Sequence, residues 1–203
     1  MILLRLLFIL CLCSSFNGDM HKLCKKKSYK CWCENEPLTW DDFRGKPNYS
    51  ERYLAAVFVS FVYKTNYDKD NNNLIIYLHA MHDRKNSWKR KDRVLTSYDL
   101  NHEQIHFNIQ EVYARRHRKK IKEIIFSDSV NTLIQVRKIL NDIHWEYYYS
   151  AKNAQKEYYA ETDYGNIVDK QMEWNSKIEK ELKELEDYSN AKIILKLPDL
   201  KEE

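Results

Sequence analysis

The sequence is poor in residues that interrupt regular structure. Its 203 residues include only three glycines and three prolines, and the main turn signals are residues 45–47 and Gly165. No internal repeat is visible, which argues against a solenoid. No apolar run reaches the roughly 20 residues that a membrane-spanning helix needs. A chain of this length suits one domain with a sizeable core.

A short basic start is followed by an apolar stretch that ends near Ser15. Because this stretch is too short to span a bilayer, we interpret residues 1–17 as a signal peptide that is cleaved between Cys13 and Gly18. The protein is therefore predicted to be secreted or to reside in the periplasm or cell envelope. A lipid anchor on Cys11 or Cys13 would make it a lipoprotein, although neither cysteine follows the small residue expected there.

Three cysteines remain after the signal peptide, within a Cys/Lys-rich segment at residues 18–36 that we expect to be flexible. In an exported chain they predict one disulfide, between Cys24 and either Cys31 or Cys33, with one thiol left over. A metal cluster is the alternative, but no fourth ligand stands nearby at a familiar spacing. The lysines of this segment could also contact anionic lipid.

The periodicity of apolar residues predicts an α+β fold, in which a small antiparallel or mixed sheet is followed by one helix and then by two long amphipathic helices. The predicted strands are residues 53–63 and 74–81, joined by a hairpin loop at 68–73, and a short third strand at Trp88 and 94–95. The predicted helices are 97–120, a long one from a start signal at 127–129 to a break at 161–165, and 168–188. Residues 37–190 form the predicted domain, and 191–203 are a tail in which 193–197 are either a terminal strand or frayed.

The first predicted helix carries an H-E-x-x-H motif at residues 102–106. On a helix that begins at the N-cap Ser97, His102 and His106 lie one turn apart on a face shared with apolar residues, so both imidazoles can bind one Zn²⁺. Glu103 lies beside the remaining coordination positions, where a carboxylate can act as a general base towards water. The motif therefore predicts a zinc hydrolase.

Several linked motifs resemble one known family. They are Leu38-Thr39-Trp40, Phe43-Arg44-Gly45, Ala55-Ala56, Ser87-Trp88, the stretch H-E-Q-I-H-F-N-I at 102–109, Ala114-Arg115, and Tyr159-Ala160-Glu161-Thr162 with Gly165, Gln171 and Trp174. In this order they resemble a bacterial family of predicted secreted zinc-dependent proteases, domain of unknown function 922. The resemblance extends over residues 38–174 and implies a zincin-like metallopeptidase domain.

The resemblance also implies a second metal-site segment in the turn after the long helix. There the family pattern is Tyr-x-x-Glu-Thr-x-His-Gly, and this chain has Tyr164 at the histidine position. Three outcomes follow for the third zinc ligand: Tyr164 binds directly, Asp163 or Glu161 replaces it, or the site has two histidines only and binds metal poorly.

The sequence therefore predicts a secreted or envelope-attached zinc metallopeptidase that acts on a peptide or protein substrate. The alternative is a catalytically impaired relative that serves as an envelope binding or scaffolding module. We expect no nucleic-acid partner, because the basic run at 115–120 is ordinary for a helix end and the net charge is only +4. His79 and His82, near the end of a predicted strand, are interpreted as surface or partly buried residues rather than ligands.

Overall fold

The computed structural model describes Cys24 and residues 28–201, and this part of the chain contains a four-stranded antiparallel sheet, a two-stranded sheet and three long helices. The predicted signal peptide, including Cys11 and Cys13, lies outside the described residues. The α+β prediction is confirmed, and the sheet is antiparallel throughout. Strands precede helices along the chain, except for a last strand that returns to the sheet.

A long hairpin forms the sheet. Strands β3 (Val59–Asp68) and β4 (Asn73–Asp83) pair along their whole length, from Val59 opposite His82 to Asp68 opposite Asn73. The predicted strand at 53–63 merged β3 with the separate strand β2 (Ala55–Ala56), which pairs with β5 (Trp88–Lys89). Residues 94–95 are not a strand.

Two short strands share the other edge of β4. Strand β1 (Tyr29–Cys31) pairs with one end of β4 and β6 (Lys192–Lys196) with the other. Ile193 and Leu195 of β6 are buried in the core, so part of the predicted tail is a strand of the central sheet. Likewise, β1 lies in the segment that we expected to be flexible.

The helices are α1 (Ser97–Lys122), α2 (Leu133–Thr162) and α3 (Val168–Glu184), and a short 3-10 helix follows at Glu186–Tyr188. The N-cap of α1 is Thr96 rather than the predicted Ser97, and the Thr96 side chain accepts a hydrogen bond from the Asp99 backbone. The predicted start of the long helix is also wrong, because Thr132 caps it instead of residues 127–129.

Helix α1 lies at the centre of the molecule. Its residue Phe107 packs in a cluster with Ala80 of the sheet, whereas Ile105, Ile109 and Val112 pack against α2 and α3. The result is a helix covered on several sides, so that even polar residues along it are buried. The described helices include none long and apolar enough to cross a membrane.

A disulfide joins Cys24 to Cys31, the first of the two predicted pairings. Cys31 belongs to β1, so the disulfide ties residue 24 to the edge of the sheet. Disulfides persist in oxidising compartments, and this one is compatible with an extracellular or envelope location.

Candidate metal centre

The H-E-x-x-H motif lies in the first half of α1, where all three of its key side chains are buried. Relative exposure is 5% for His102, 4% for Glu103 and 1% for His106. The two imidazole centroids lie 5.0 Å apart, with ring planes at 89°. The prediction that the histidines lie on the buried face of the helix is confirmed.

Residues of α2 and α3 hold the His102 ring from behind. Its Nδ1 lies 2.8 Å from Oε1 of Gln171 and 2.8 Å from the hydroxyl of Tyr158. The Gln171 amide is oriented by its own Nε2, which donates to Asn175. Because Oε1 can only accept, Nδ1 of His102 carries the proton and Nε2 is left with its lone pair.

His106 is held in the same way by a single glutamine. Its Nδ1 donates to Oε1 of Gln155, while Nε2 of that amide donates to the His106 carbonyl over 2.8 Å. The two contacts fix the direction of the amide, so His106 also has its proton on Nδ1. Histidines that bind metals are oriented through their second nitrogen in this way.

The two Nε2 atoms and Oε2 of Glu103 are buried and have no hydrogen-bond partner among the described residues. Burial lowers the pKa of His102 and lowers that of His106 further, with the neighbouring ring adding to the effect. Both imidazoles are therefore neutral near pH 7, which is the form that binds a metal. Two neutral, oriented and unpartnered imidazole nitrogens fit a divalent transition metal.

Glu103 lies in an apolar environment that favours its protonated form. Burial raises the pKa of Glu103 to about 8, although a backbone hydrogen bond from Val57 opposes the shift. A carboxyl group that titrates near neutral pH is suited to accept and return a proton.

Neither of the two carboxylates predicted as alternative ligands is directed to the histidines. Glu161 accepts a hydrogen bond from Trp174 over 2.7 Å, and Asp163 pairs with Arg52 over 2.9 Å. In the described part of the chain, neither joins His102 and His106 in a group of three potential ligands.

Tyr164, by contrast, shares a cleft with His102 and Glu103. The cleft has a volume of about 340 Å³, and Tyr98 and Gly165 also line it. The Tyr164 backbone is left-handed, with φ of 58°. Gly165 is needed at its own position, because a Cβ there would lie 3.1 Å from Nδ1 of His102.

Tyr159 also packs against both histidines, a position that the H-E-x-x-H spacing does not predict. Its ring centroid lies 4.1 Å from that of His106 and 5.9 Å from that of His102. Tyr158 and Tyr159 follow Gln155 by three and four residues, so both lie on the same side of α2 as Gln155. The signal in the sequence was Gln155, a polar residue beside the apolar stripe of α2, which could have indicated a contact with the motif.

The other candidate ligands lie elsewhere. His79 and His82 are both buried, in contrast to the surface or partly buried positions expected of them. His79 lies close to Cys24 and Cys31, which already form the disulfide. His82 packs between the rings of Phe43 and Phe107.

Comparison with known proteins finds no matching family model, no matching curated protein and no matching solved structure. The likeness to the secreted zinc-dependent proteases therefore rests on the sequence motifs alone.

Proposed function

We propose that this chain is a zinc-dependent metallopeptidase with a zincin-like site, in which His102 and His106 bind the metal and Glu103 is the general base. One observation carries the proposal. Both histidines are fixed by glutamine oxygens at Nδ1, while both Nε2 atoms are buried without a partner among the described residues. The burial of two such atoms side by side is unfavourable unless a ligand satisfies them.

Zinc bound there would polarise the scissile carbonyl and acidify a water molecule. Glu103 would accept the proton of that water and later deliver it to the leaving amine. Two tyrosines, Tyr159 and Tyr164, are the candidates for a third ligand, because both line the cleft. The Cys24–Cys31 disulfide and the predicted signal peptide support action outside the cytoplasm.

The test combines metal analysis with hydrolysis of a peptide library. We expect purified protein to bind zinc and to cleave peptides, and Glu103→Ala to retain zinc while its kcat falls at least a hundredfold. Glu123→Ala is the matched control, since Glu123 is an exposed carboxylate at the end of the same helix.

Zinc binding without any cleavage would instead support the second candidate, an envelope binding or scaffolding module that keeps the metal for its fold. The observation in its favour is that only two histidines of the predicted ligand set converge, with Glu161 and Asp163 directed to other partners. Failure to bind zinc would contradict both functions.

A further inference from the structure

A second pair of histidines lies between α1 and α2, away from the H-E-x-x-H motif. His117 of α1 is fully buried, and His144 of α2 is half-buried. Their ring centroids are 5.6 Å apart. The corresponding distance is 5.0 Å for His102 and His106, and two imidazoles bound to one metal at about 2.0–2.1 Å have centroids roughly 5 Å apart.

The packing of the two helices explains why this pair forms. His102 contacts Tyr158 and His106 contacts Gln155, so the two helices are antiparallel: successive contacts lie later in α1 and earlier in α2 by a similar number of residues. Eleven residues beyond His106 stands His117, and eleven before Gln155 stands His144. Eleven residues are about three helical turns, so this pair repeats the first contact roughly 16 Å further along the same interface.

The ring of a tyrosine from the sheet packs against both histidines. Tyr63 of β3 has its ring centroid 5.1 Å from that of His144 and 5.9 Å from that of His117. Rings of Tyr147 and Phe61 enclose the cluster, the former stacked on His117 at 5.2 Å. Tyr63, His117 and His144 thus come from three different elements and meet within an aromatic shell.

Several buried polar atoms of this cluster lack a partner in the part of the chain that the structure describes. Both ring nitrogens of His117, Nδ1 of His144 and the hydroxyl of Tyr63 are buried and make no hydrogen bond to any residue that the structure describes. Four such atoms on three side chains that pack together are unusual, because buried polar groups are nearly always hydrogen-bonded. A metal ion can bind one nitrogen of each ring and the phenol oxygen at once, since a neutral imidazole has one nitrogen with a free lone pair.

From these observations we propose a second metal site, in which His117 and His144, with Tyr63 as a third ligand, bind a divalent transition metal. Imidazole nitrogens and a phenol oxygen favour Zn²⁺, Co²⁺ or Cu²⁺ over Mg²⁺ or Ca²⁺, which prefer carboxylate and carbonyl oxygens. The half-buried His144 leaves one side of the site open to metal entry. The site joins α1, α2 and β3, so the metal would act as a structural cross-link.

The experiment counts bound Co²⁺ by calorimetry and follows its visible absorption. We expect two Co²⁺ ions per wild-type chain, one in His102→Ala/His106→Ala, and none when His144→Gln is added to that double variant. His82→Gln is the matched control, because His82 is a buried histidine with unpartnered nitrogens that contacts phenylalanines rather than a second histidine. Added to the same double variant, it should leave one Co²⁺ bound.

The contribution of Tyr63 is tested with Tyr63→Phe, which should weaken Co²⁺ binding to this site at least tenfold. The proposal is overturned if the His102→Ala/His106→Ala variant binds no Co²⁺, or if its remaining ion persists after His144→Gln. Should a variant not fold, Zn²⁺ titration of wild-type protein with ¹⁵N-labelled histidine gives the answer. Shifts of the His117 and His144 ring nitrogens support the site, and unchanged shifts exclude it.

Discussion

Tyr164 is the residue at which this chain departs from the pattern it resembles. It lines the cleft beside His102 and Glu103, but its ring is already engaged: it stacks on Tyr53 at 5.5 Å and lies under the guanidinium of Arg52 at 4.3 Å. A neutral imidazole is a better zinc ligand than a protonated phenol. Histidine also tolerates the left-handed backbone found here.

We therefore expect Tyr164→His to bind zinc at least tenfold more tightly than wild type, as measured by competition with a chromophoric chelator. Tyr164→Phe serves as the control, since it keeps the stacking and removes the hydroxyl. If Tyr164→His leaves the zinc Kd unchanged, the side chain at this position does not reach the metal, and Tyr159 becomes the stronger candidate.

Some residues of the candidate metal centre could be predicted from the sequence and others could not. The H-E-x-x-H spacing predicts the two histidines and Glu103, because the spacing follows from helix geometry alone. It does not predict Gln155 or Gln171, since an amide acquires its role only when another helix delivers it to an imidazole. Their positions depend on how α2 and α3 pack on α1.

At the scale of elements, the second half of α1 differs most from its sequence-based interpretation. The basic run at its end was interpreted as ordinary for a helix end, yet Arg115 and Arg118 are buried and both donate to Oε1 of Glu111, over 3.0 and 2.6 Å. Arg118 also donates to the carbonyls of Leu78 and Tyr188, which ties the helix to the sheet and to the C-terminal 3-10 helix. Local charge could not reveal the contacts with Leu78 and Tyr188, because these two residues are distant from Arg118 in sequence.

Removal of Glu111 should therefore be strongly destabilising, since it leaves two buried guanidinium groups without their shared carboxylate. We expect Glu111→Ala to lower the free energy of unfolding by about 3–5 kcal/mol, as measured by urea denaturation. Glu123→Ala, an exposed change at the end of the same helix, should cost less than about 0.5 kcal/mol. A loss below about 1 kcal/mol for Glu111→Ala would mean that water reaches the arginines.

At the scale of the whole molecule, the class of fold followed from periodicity, but the order of the strands did not. The β3–β4 hairpin is local and its loop was predicted at 68–73, although the predicted first strand, 53–63, began and ended about five residues before β3. The prediction for β6 was ambiguous, because a short segment such as Lys192–Lys196 forms a strand only when it pairs with an exposed edge, here that of β4. The buried Leu74 and Ile76 of β4 lie opposite β6 and pack with its apolar residues in one core cluster. Strand β4 lies more than a hundred residues before β6 in the sequence.

Histidines that are buried in neutral form make the free energy of unfolding depend on pH. Burial is the main cause that lowers the pKa of His79 and His82 to about 4, and that of His117 to about 3. In the unfolded chain a histidine titrates near pH 6.5, so below that pH the unfolded state binds more protons and stability falls. Glu103 has the opposite sign, because its folded pKa is raised and its protonated form is favoured up to about pH 8.

A variant of one histidine isolates its contribution from these opposing effects. His82 packs against Phe43 and Phe107, so His82→Phe replaces an imidazole by an apolar ring of similar shape. We expect the free energy of unfolding, measured without metal, to fall between pH 7 and pH 5 by about 2 kcal/mol more in wild type than in His82→Phe. The reason is that His82 becomes protonated in the unfolded chain but stays neutral in the folded protein. Urea denaturation at both pH values measures this difference. Equal losses in the two proteins would show that the folded protein lets His82 protonate.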